Sequence, residues 1–221
     1  MLEMSDQQPP ADRIPIFRQD YPLIIILLAG VIISVSLVQM NASPIVEDWL
    51  LRTGAILVGP LFEGVSRPFG PLFPLIGHTL LHAGSLHLIL NMVALISMGP
   101  IVALALGNSV RGSLIFIAFF AVCAIGGGLA EIFWTRLIGE NVNAIGASSA
   151  ISGLLPAIGF IRNGWQGAYS MSLGWVVINL ILAVSGGFLA LPIAWAAHLG
   201  GTAAGFSFVL FLRLANPSDP L

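Results

Sequence analysis

Six long apolar stretches constrain what this chain can fold into. They lie at 22–40, 83–106, 112–134, 147–161, 170–190 and 193–212. A helix needs about 20 apolar residues to cross the hydrocarbon layer of a bilayer, and most of these stretches are close to that length. Because apolar residues run continuously in them instead of alternating, they favour helices over barrel strands. The sequence therefore predicts an all-α membrane protein, a six-transmembrane helical bundle.

The composition excludes several other classes of protein. Of the 221 residues, 57% are hydrophobic and only 8% are charged, whereas soluble domains carry about 25% charged residues. All eight cations are arginines and the net charge is −2, which leaves no basic patch for nucleic acid. The single cysteine, Cys123, rules out an intrachain disulfide framework. Membrane lipid is the expected surrounding, no cofactor or metal is expected, and the oligomeric state stays open.

One membrane-embedded domain is expected between two cytoplasmic tails. These three parts are 1–20, 21–213 and 214–221. The first loop of the domain, 41–77, mixes charged, aromatic and proline residues and contains no clean span, so we predict an interfacial loop with one or two short helices. Pro100 is expected to kink the second span or end it early, and Pro192 to join the last two spans in a tight hairpin.

The arginines indicate the orientation, because cytoplasmic loops carry an excess of basic residues. With the amino terminus inside, five arginines are cytoplasmic: Arg13, Arg18, Arg111, Arg162 and Arg213. The other three lie outside: Arg52, Arg67 and Arg136. An even number of spans places both termini in the cytoplasm, and we expect a multi-pass protein of the plasma (inner) membrane.

Polar residues from three separate spans fall at one depth near the outer side. His87 and Asn91 lie in the outer half of the second span, four residues apart, and share a helix face. Ser148 begins the fourth span. His198 follows the outer end of the sixth by a few residues, which places it on the order of 8 Å below the surface. Polar groups inside a membrane usually face a cavity or the bundle interior, so we expect one shared site.

Small residues predict how two of these spans pack. Gly201 and Gly205 follow His198 at a spacing of four, which lets another helix approach closely. The fourth span offers a matching stripe: Ser149, Gly153 and Ala157. We therefore expect the two helices to pack backbone to backbone, which brings Ser148 Oγ within hydrogen-bond reach of the His198 ring.

A hydroxyl in contact with an imidazole predicts nucleophilic catalysis by a Ser–His dyad. Ser148 lies at a loop-to-helix transition, where unpaired N–H groups and the helix dipole favour a developing oxyanion. His198 acts in this hypothesis as general base and then as general acid. The Ser148 N–H, His87 and Asn91 form the oxyanion hole.

Other ionisable residues have expected roles as well. No carboxylate lies near His198 in the sequence, so we predict a dyad of Ser148 and His198 with no third residue that would make a triad. Glu131 is expected inside the membrane and paired with Arg136. His78 and His82 are expected to brace the first loop. An alternative function uses these histidines in a transporter that binds Zn²⁺ or passes protons, with His78 and His82 sharing a metal.

Three motifs together resemble the rhomboid intramembrane serine proteases. They are HTLLHAGSLHLILN at 78–91, GASSAISG at 146–153, and AHLGG at 197–201 followed by Gly205. The resemblance covers spans two to six and implies Ser148 as nucleophile and His198 as base. It implies His87 and Asn91 as oxyanion partners. It also implies cleavage of transmembrane protein substrates near the outer interface, with substrates entering between helices two and five.

The chain departs from this family pattern after the nucleophile. Ser149 stands where the family usually has glycine, and it is a second candidate hydroxyl that helical geometry turns about 100° from Ser148. Ser152 stands where the family often has an aromatic residue against the catalytic imidazole. These departures keep another alternative open, an inactive relative that holds client proteins. Trp175 is expected to anchor an interface or to line a substrate gate.

Overall fold

The computed structural model describes residues 21–189 and 194–215. The helices are α1 (Leu23–Asn41), α2 (Pro44–Gly54), α3 (Pro74–Gly77), α4 (Ser85–Ala105), α5 (Val110–Ile138), α6 (Ser148–Ser152), α7 (Leu154–Leu189) and α8 (Trp195–Ala215). Two short strands, β1 (Ile56–Val58) and β2 (Val142–Ala144), and 3-10 turns at Pro60–Phe62 and His78–Leu80 complete the secondary structure of this part. The expected tail at 1–20, most of the expected tail at 214–221 and the hairpin at Pro192 lie outside the described residues.

The protein is a helical, multi-pass membrane bundle, as predicted. Five stretches of the described chain are long and apolar enough to cross a membrane: Leu23–Asn41, Ser85–Ala105, Val110–Ile138, Ser148–Val184 and Trp195–Ala215. The predicted count of six spans is not confirmed, because the predicted fourth and fifth spans fall within one of these stretches.

That stretch doubles back on itself inside α7. The helical geometry breaks at Asn163 (φ −151°) and Gly164 (φ 55°), leaving a first leg at 154–162 and a second leg at 165–189. A Cβ at Gly159 would collide with the carbonyl oxygen of Gly167, although a continuous helix separates residues eight apart by about 12 Å. Glycine adopts the left-handed conformation at position 164 without a steric penalty. The reversal brings the second leg beside α6 and α8.

Helix α8 packs against α5 on one side and against α6 and α7 on the other. On the first side, a Cβ at Gly200 would collide with the carbonyl oxygen of Gly126. On the other side, a Cβ at Gly201 would collide with the carbonyl oxygen of Ser149, and Gly205 is packed equally closely one turn later. The predicted packing of small residues between these helices is confirmed. The close contact with α5 is an addition that the sequence analysis did not anticipate.

The first loop contains the short helices α2 and α3, as predicted, and also a strand that was not predicted. Strand β1 pairs antiparallel with β2, with Ile56 opposite Ala144. The Arg67 guanidinium donates hydrogen bonds to the carbonyl oxygens of Ala55 and Leu57, both at 3.0 Å. The pairing ties the first loop to the segment that leads into α6.

Pro100 does not end α4, which continues to Ala105. A proline lacks the N–H that would bond to the carbonyl oxygen four residues earlier, which here belongs to Ile96. The Tyr21 hydroxyl donates to that oxygen at 3.0 Å. The expected early end is therefore wrong, because a residue far away in sequence replaces the missing donor.

Candidate active site

Ser148 begins α6 directly after a turn that requires glycine. Gly146 has φ 128°, a conformation that other residues rarely adopt. A Cβ at this position would also lie 2.6 Å from Cε1 of His87. The Gly146 N–H donates to the carbonyl oxygen of His78 at 2.8 Å. The turn therefore fixes the nucleophile candidate against both the first loop and α4.

Ser148 Oγ and His198 Nε2 lie 2.9 Å apart. His198 is the fourth residue of α8, so the close packing of α8 on α6 sets this distance. Both side chains are partly buried. The contact expected from the small-residue stripes is present, and it joins residues 50 positions apart in the sequence.

The other ring nitrogen of His198 has a partner that the sequence analysis missed. Asn179 Oδ1, on the second leg of α7, lies 2.7 Å from His198 Nδ1. The Asn179 Nδ2 group donates to the carbonyl oxygen of Trp175 at 2.9 Å, which fixes the orientation of the amide. Because an amide oxygen only accepts, Nδ1 carries the proton and Nε2 presents its lone pair to Ser148.

The expectation that no third residue joins Ser148 and His198 is therefore wrong. The third residue is a carboxamide instead of a carboxylate, and 0% of its surface is exposed. One signal was available in the sequence: Asn179 is an isolated polar residue within the apolar run 170–190. Such residues inside a membrane usually mark a functional contact.

Position 152 has no aromatic side chain to pack on the His198 imidazole, and Trp175 packs there from α7. The centroids of the Trp175 and His198 rings are 5.8 Å apart, with 36° between the ring planes. The indole Nε1–H donates to Ser152 Oγ at 3.1 Å, and Ser152 Oγ donates to the Ser148 carbonyl oxygen at 2.7 Å. Trp175 is half-buried and its indole packs against His198, a contact that was not part of its expected role as an interface anchor or gate residue.

His87 and Asn91 lie one turn apart on α4, and the His87 ring reaches the turn that precedes Ser148. The His87 ring lies against Gly146, with Nε2 2.8 Å from the position that a Cβ would take there. Its Nδ1 accepts a long contact of 3.5 Å from the Ala83 N–H, so Nε2 carries the proton and can donate. Asn91 is 5% exposed. Its Nδ2 group donates one hydrogen to the His87 carbonyl oxygen at 2.9 Å and retains a second.

Ser149 points away from this site into the protein. It is 1% exposed, and its Oγ lies 2.9 Å from His78 Nε2. His78 Nδ1 lies 2.8 Å from the carbonyl oxygen of Pro74, to which it donates, so Nε2 accepts from the serine hydroxyl. Burial lowers the pKa of His78 to about 4, which keeps the ring neutral. Ser149 therefore links α6 to the first loop, and Ser148 is the accessible hydroxyl.

His82 braces the first loop against α1, as predicted. Its Nδ1 lies 2.9 Å from Ser36 Oγ. The Gln39 side chain makes two hydrogen bonds to the backbone of His82. Its Nε2 donates to the His82 carbonyl oxygen at 3.1 Å, and its Oε1 accepts from the His82 N–H at 2.9 Å. Burial, followed by the charge of nearby His87, lowers the pKa of His82 to about 4.

The two loop histidines have different partners, which weighs against a shared metal. His78 is bonded to α6 and His82 to α1. In residues 21–189 and 194–215, no group of three or more His, Cys, Asp or Glu side chains is placed to hold a metal ion. The geometry therefore gives no support to the transporter alternative.

Glu131 does not pair with Arg136 as expected. Its Oε2 atom accepts a hydrogen bond from the Ala197 N–H at 3.0 Å, and the residue is 4% exposed. Ala197 lies in the first turn of α8, where backbone N–H groups lack partners within the helix. Glu131 therefore caps the helix that carries His198, from α5.

Comparison with known proteins identifies the family of this chain. The family model of the Rhomboid domain matches residues 70–215. RHOMBOID-like protein 5 from Arabidopsis thaliana is 34% identical over 183 residues, which is 79% of this chain and 56% of that protein. RHOMBOID-like protein 4 from the same plant is 34% identical over 137 residues, 60% of this chain and 32% of that protein. This chain thus spans about half or less of the length of these relatives. The region that the family model matches contains α4 to α8. The chain belongs to the rhomboid family.

Proposed function

We propose that this chain is an intramembrane serine endopeptidase that cleaves transmembrane protein substrates near the outer membrane interface. The observation that carries the proposal is the 2.9 Å contact between Ser148 Oγ and His198 Nε2, with the other ring nitrogen held by a carboxamide. Membership of the rhomboid family supports the reaction class. The burial of Ser149 supports Ser148 as the nucleophile.

Acylation begins when Ser148 Oγ attacks the carbonyl carbon of the scissile peptide bond and its proton moves to His198 Nε2. The Ser148 N–H, the His87 Nε2–H and the second amide hydrogen of Asn91 stabilise the oxyanion. The His198 Nε2 proton then passes to the leaving nitrogen as the C–N bond breaks. An acyl ester on Ser148 and a free amine result.

Water completes the reaction. His198 Nε2 takes a proton from a water molecule as the water oxygen attacks the ester carbonyl carbon. The proton returns to Ser148 Oγ when the ester bond breaks, and a carboxylic acid is released. The substrate must present an unwound stretch, because the carbonyl groups of a helix are already hydrogen-bonded.

In the proposed topology, the domain 21–213 crosses the plasma (inner) membrane six times. Both termini lie in the cytoplasm. Ser148 begins α6 and His198 lies in the first turn of α8, so both belong to the same side of the bundle. That side is the outer one in this proposal. Substrates enter between α4 and the second leg of α7, the predicted second and fifth passes.

A cleavage assay tests the proposal. The chain is purified in detergent and incubated with a fluorescent type-I membrane peptide, alongside Ser148→Ala and His198→Ala. We expect cleavage by the wild type and none by either variant, although both variants fold. We also expect EDTA to leave the rate unchanged and a serine-directed acylating inhibitor to abolish it. Undiminished turnover by Ser148→Ala would contradict the assignment, and a wild type inert towards a panel of peptides would favour the client-holding alternative.

A further inference from the structure

Five hydrogen bonds form a closed circuit through the site and the second leg of α7. Ser148 Oγ contacts His198 Nε2 at 2.9 Å, and His198 Nδ1 contacts Asn179 Oδ1 at 2.7 Å. Asn179 Nδ2 donates to the Trp175 carbonyl oxygen at 2.9 Å, and Trp175 Nε1 donates to Ser152 Oγ at 3.1 Å. Ser152 Oγ closes the circuit by donating to the Ser148 carbonyl oxygen at 2.7 Å.

We propose that Asn179, supported by Trp175 and Ser152, is the positioning residue that fixes the tautomer and the ring plane of His198. The inference rests on the proposed function, because it concerns the same Ser148–His198 pair. The Asn179 side chain is bonded to His198 and to the Trp175 carbonyl oxygen, so it acts through the imidazole. Its role is distinct from that of the oxyanion donors, which lie on α4 and at the start of α6.

The tautomer matters because a neutral imidazole carries one proton on either nitrogen. With the proton on Nε2, the nitrogen that faces Ser148 has no lone pair to accept the serine proton. The Asn179 carbonyl oxygen binds the Nδ1–H form selectively, since an amide oxygen repels the lone pair of a deprotonated nitrogen. After proton transfer, the same oxygen still accepts from the Nδ1–H of the imidazolium, so the circuit serves both protonation states.

The ring plane depends on the second leg of α7 as well. Asn179 is fully buried, and its own amide is tied to Trp175 one turn away. The Trp175 indole packs at 5.8 Å on the imidazole and is anchored through Ser152. A serine at position 152 thus supports an aromatic residue from the neighbouring helix, where the family often has an aromatic residue of its own. Movement of this leg would shift both supports of the base together.

A purely structural role for Asn179 makes a different prediction. Polar side chains often join membrane helices through hydrogen bonds. If Asn179 were only such a contact, its removal would lower the unfolding temperature without changing the rate per folded molecule. The test therefore measures the reactivity of Ser148 directly, together with stability.

The experiment uses the full chain in detergent, with Asn179→Leu, Asn179→Asp and the control Ser172→Ala. Ser172 lies on the same leg, and its Oγ bonds to the Ala168 carbonyl oxygen at 2.8 Å. The readouts are the rate of labelling by a fluorophosphonate probe, kcat and KM on the fluorescent peptide, and the unfolding temperature. We expect Asn179→Leu to slow both labelling and kcat about 10- to 100-fold with KM unchanged, the scale found for outer partners of ligating histidines.

We expect Asn179→Asp to recover most of this loss, because it retains an acceptor oxygen at the same position, and Ser172→Ala to match the wild type. Labelling of Asn179→Leu at the wild-type rate would overturn the inference while leaving the proposed function intact. So would an Asn179→Asp variant as slow as Asn179→Leu. A wild type that neither labels nor cleaves would overturn both.

A double-mutant cycle tests the remaining part of the circuit. Trp175→Phe and Ser152→Ala each remove the same indole–hydroxyl bond, so we expect the double variant to be no slower in labelling than the slower single variant. If the fold-losses in labelling rate of the two single variants multiply in the double variant, the two residues act separately, which would contradict the circuit.

Discussion

Two adjacent serines differ in role although they are one position apart. Ser148 is partly buried and bonded to His198, whereas Ser149 is 1% exposed and bonded to His78. The α-helical rotation of about 100° per residue separates the two hydroxyl groups. The serine at position 149 therefore completes a buried hydrogen bond to His78, and its hydroxyl is not bonded to His198.

Ser149→Ala should lower stability and spare catalysis. The substitution leaves His78 Nε2 buried without a partner, which costs about 1–3 kcal/mol. Thermal unfolding in detergent measures the loss, and cleavage per folded molecule should stay close to that of the wild type. Ser148→Ala provides the matched control, with unchanged stability and no cleavage. Loss of cleavage in a folded Ser149→Ala protein would contradict this division of roles.

Acidification should destabilise the protein through two loop histidines. Folding lowers the pKa of His78 and of His82 from 6.5 to about 4, mainly through burial. As the pH falls, these histidines therefore bind protons in the unfolded chain before they do so in the folded protein. The stability contributed by the neutral rings is complete above pH 6.5 and is lost as the pH falls towards 4. Unfolding temperatures recorded across this range should fall in the wild type and change less in a His78→Gln/His82→Gln double variant. Parallel curves for the two proteins would contradict the assignment.

At the residue scale, the sequence predicted those parts of the site that lie in local motifs. The contact between Ser148 and His198 was anticipated because small-residue stripes set how closely their two helices approach. Asn179 and the inward position of Trp175 were missed, because both depend on the reversal of α7 at Gly164. Spacing along one helix carries no information about the partner that a neighbouring helix supplies.

At the scale of elements, the position of α8 controls the site. Glycines on two faces of α8 let it contact both α5 and α6 through the backbone. Glu131 adds a hydrogen bond to its first turn at Ala197. Since His198 lies in that turn, the distance to Ser148 depends on how closely the helices approach.

Gly201→Ala should therefore reduce both stability and activity. The added Cβ would collide with the Ser149 carbonyl oxygen and push α8 away from α6, and overpacking of this kind costs about 1–3 kcal/mol. Gly30→Ala on α1 is the matched control, because a Cβ at that position meets nothing within 4 Å. Unfolding temperature and kcat should fall for the first variant and not for the second. Wild-type kcat in Gly201→Ala would show that the approach of these helices does not set the catalytic geometry.

The positions of the elements were predicted better than their connections. The bounds of α1, α4, α5 and α8 agree with the predicted spans to within a few residues, because apolar composition determines them. The pairing of β1 with β2 was not predicted, since each strand has only three residues and the partners are far apart in sequence. The expected early end of α4 at Pro100 was wrong because the compensating donor, Tyr21, lies outside the helix.

At the scale of the whole molecule, the proposed orientation is open to direct measurement. Cys123 is buried and provides an unreactive background. Glu63→Cys, in the exposed first loop, should react with a membrane-impermeant maleimide on intact cells. Asn108→Cys, in the exposed turn between α4 and α5, should react only after permeabilisation. The reverse pattern would place the active site on the cytoplasmic side.

The most direct test of the central claim is the position of a covalent adduct. The chain is treated with a serine-directed acylating inhibitor, and peptide mapping by mass spectrometry locates the acyl group. Our account predicts one acyl group on Ser148 in the wild type and none in His198→Ala. An acyl group on Ser149, or acylation of Ser148 that is equally fast without His198, would contradict it.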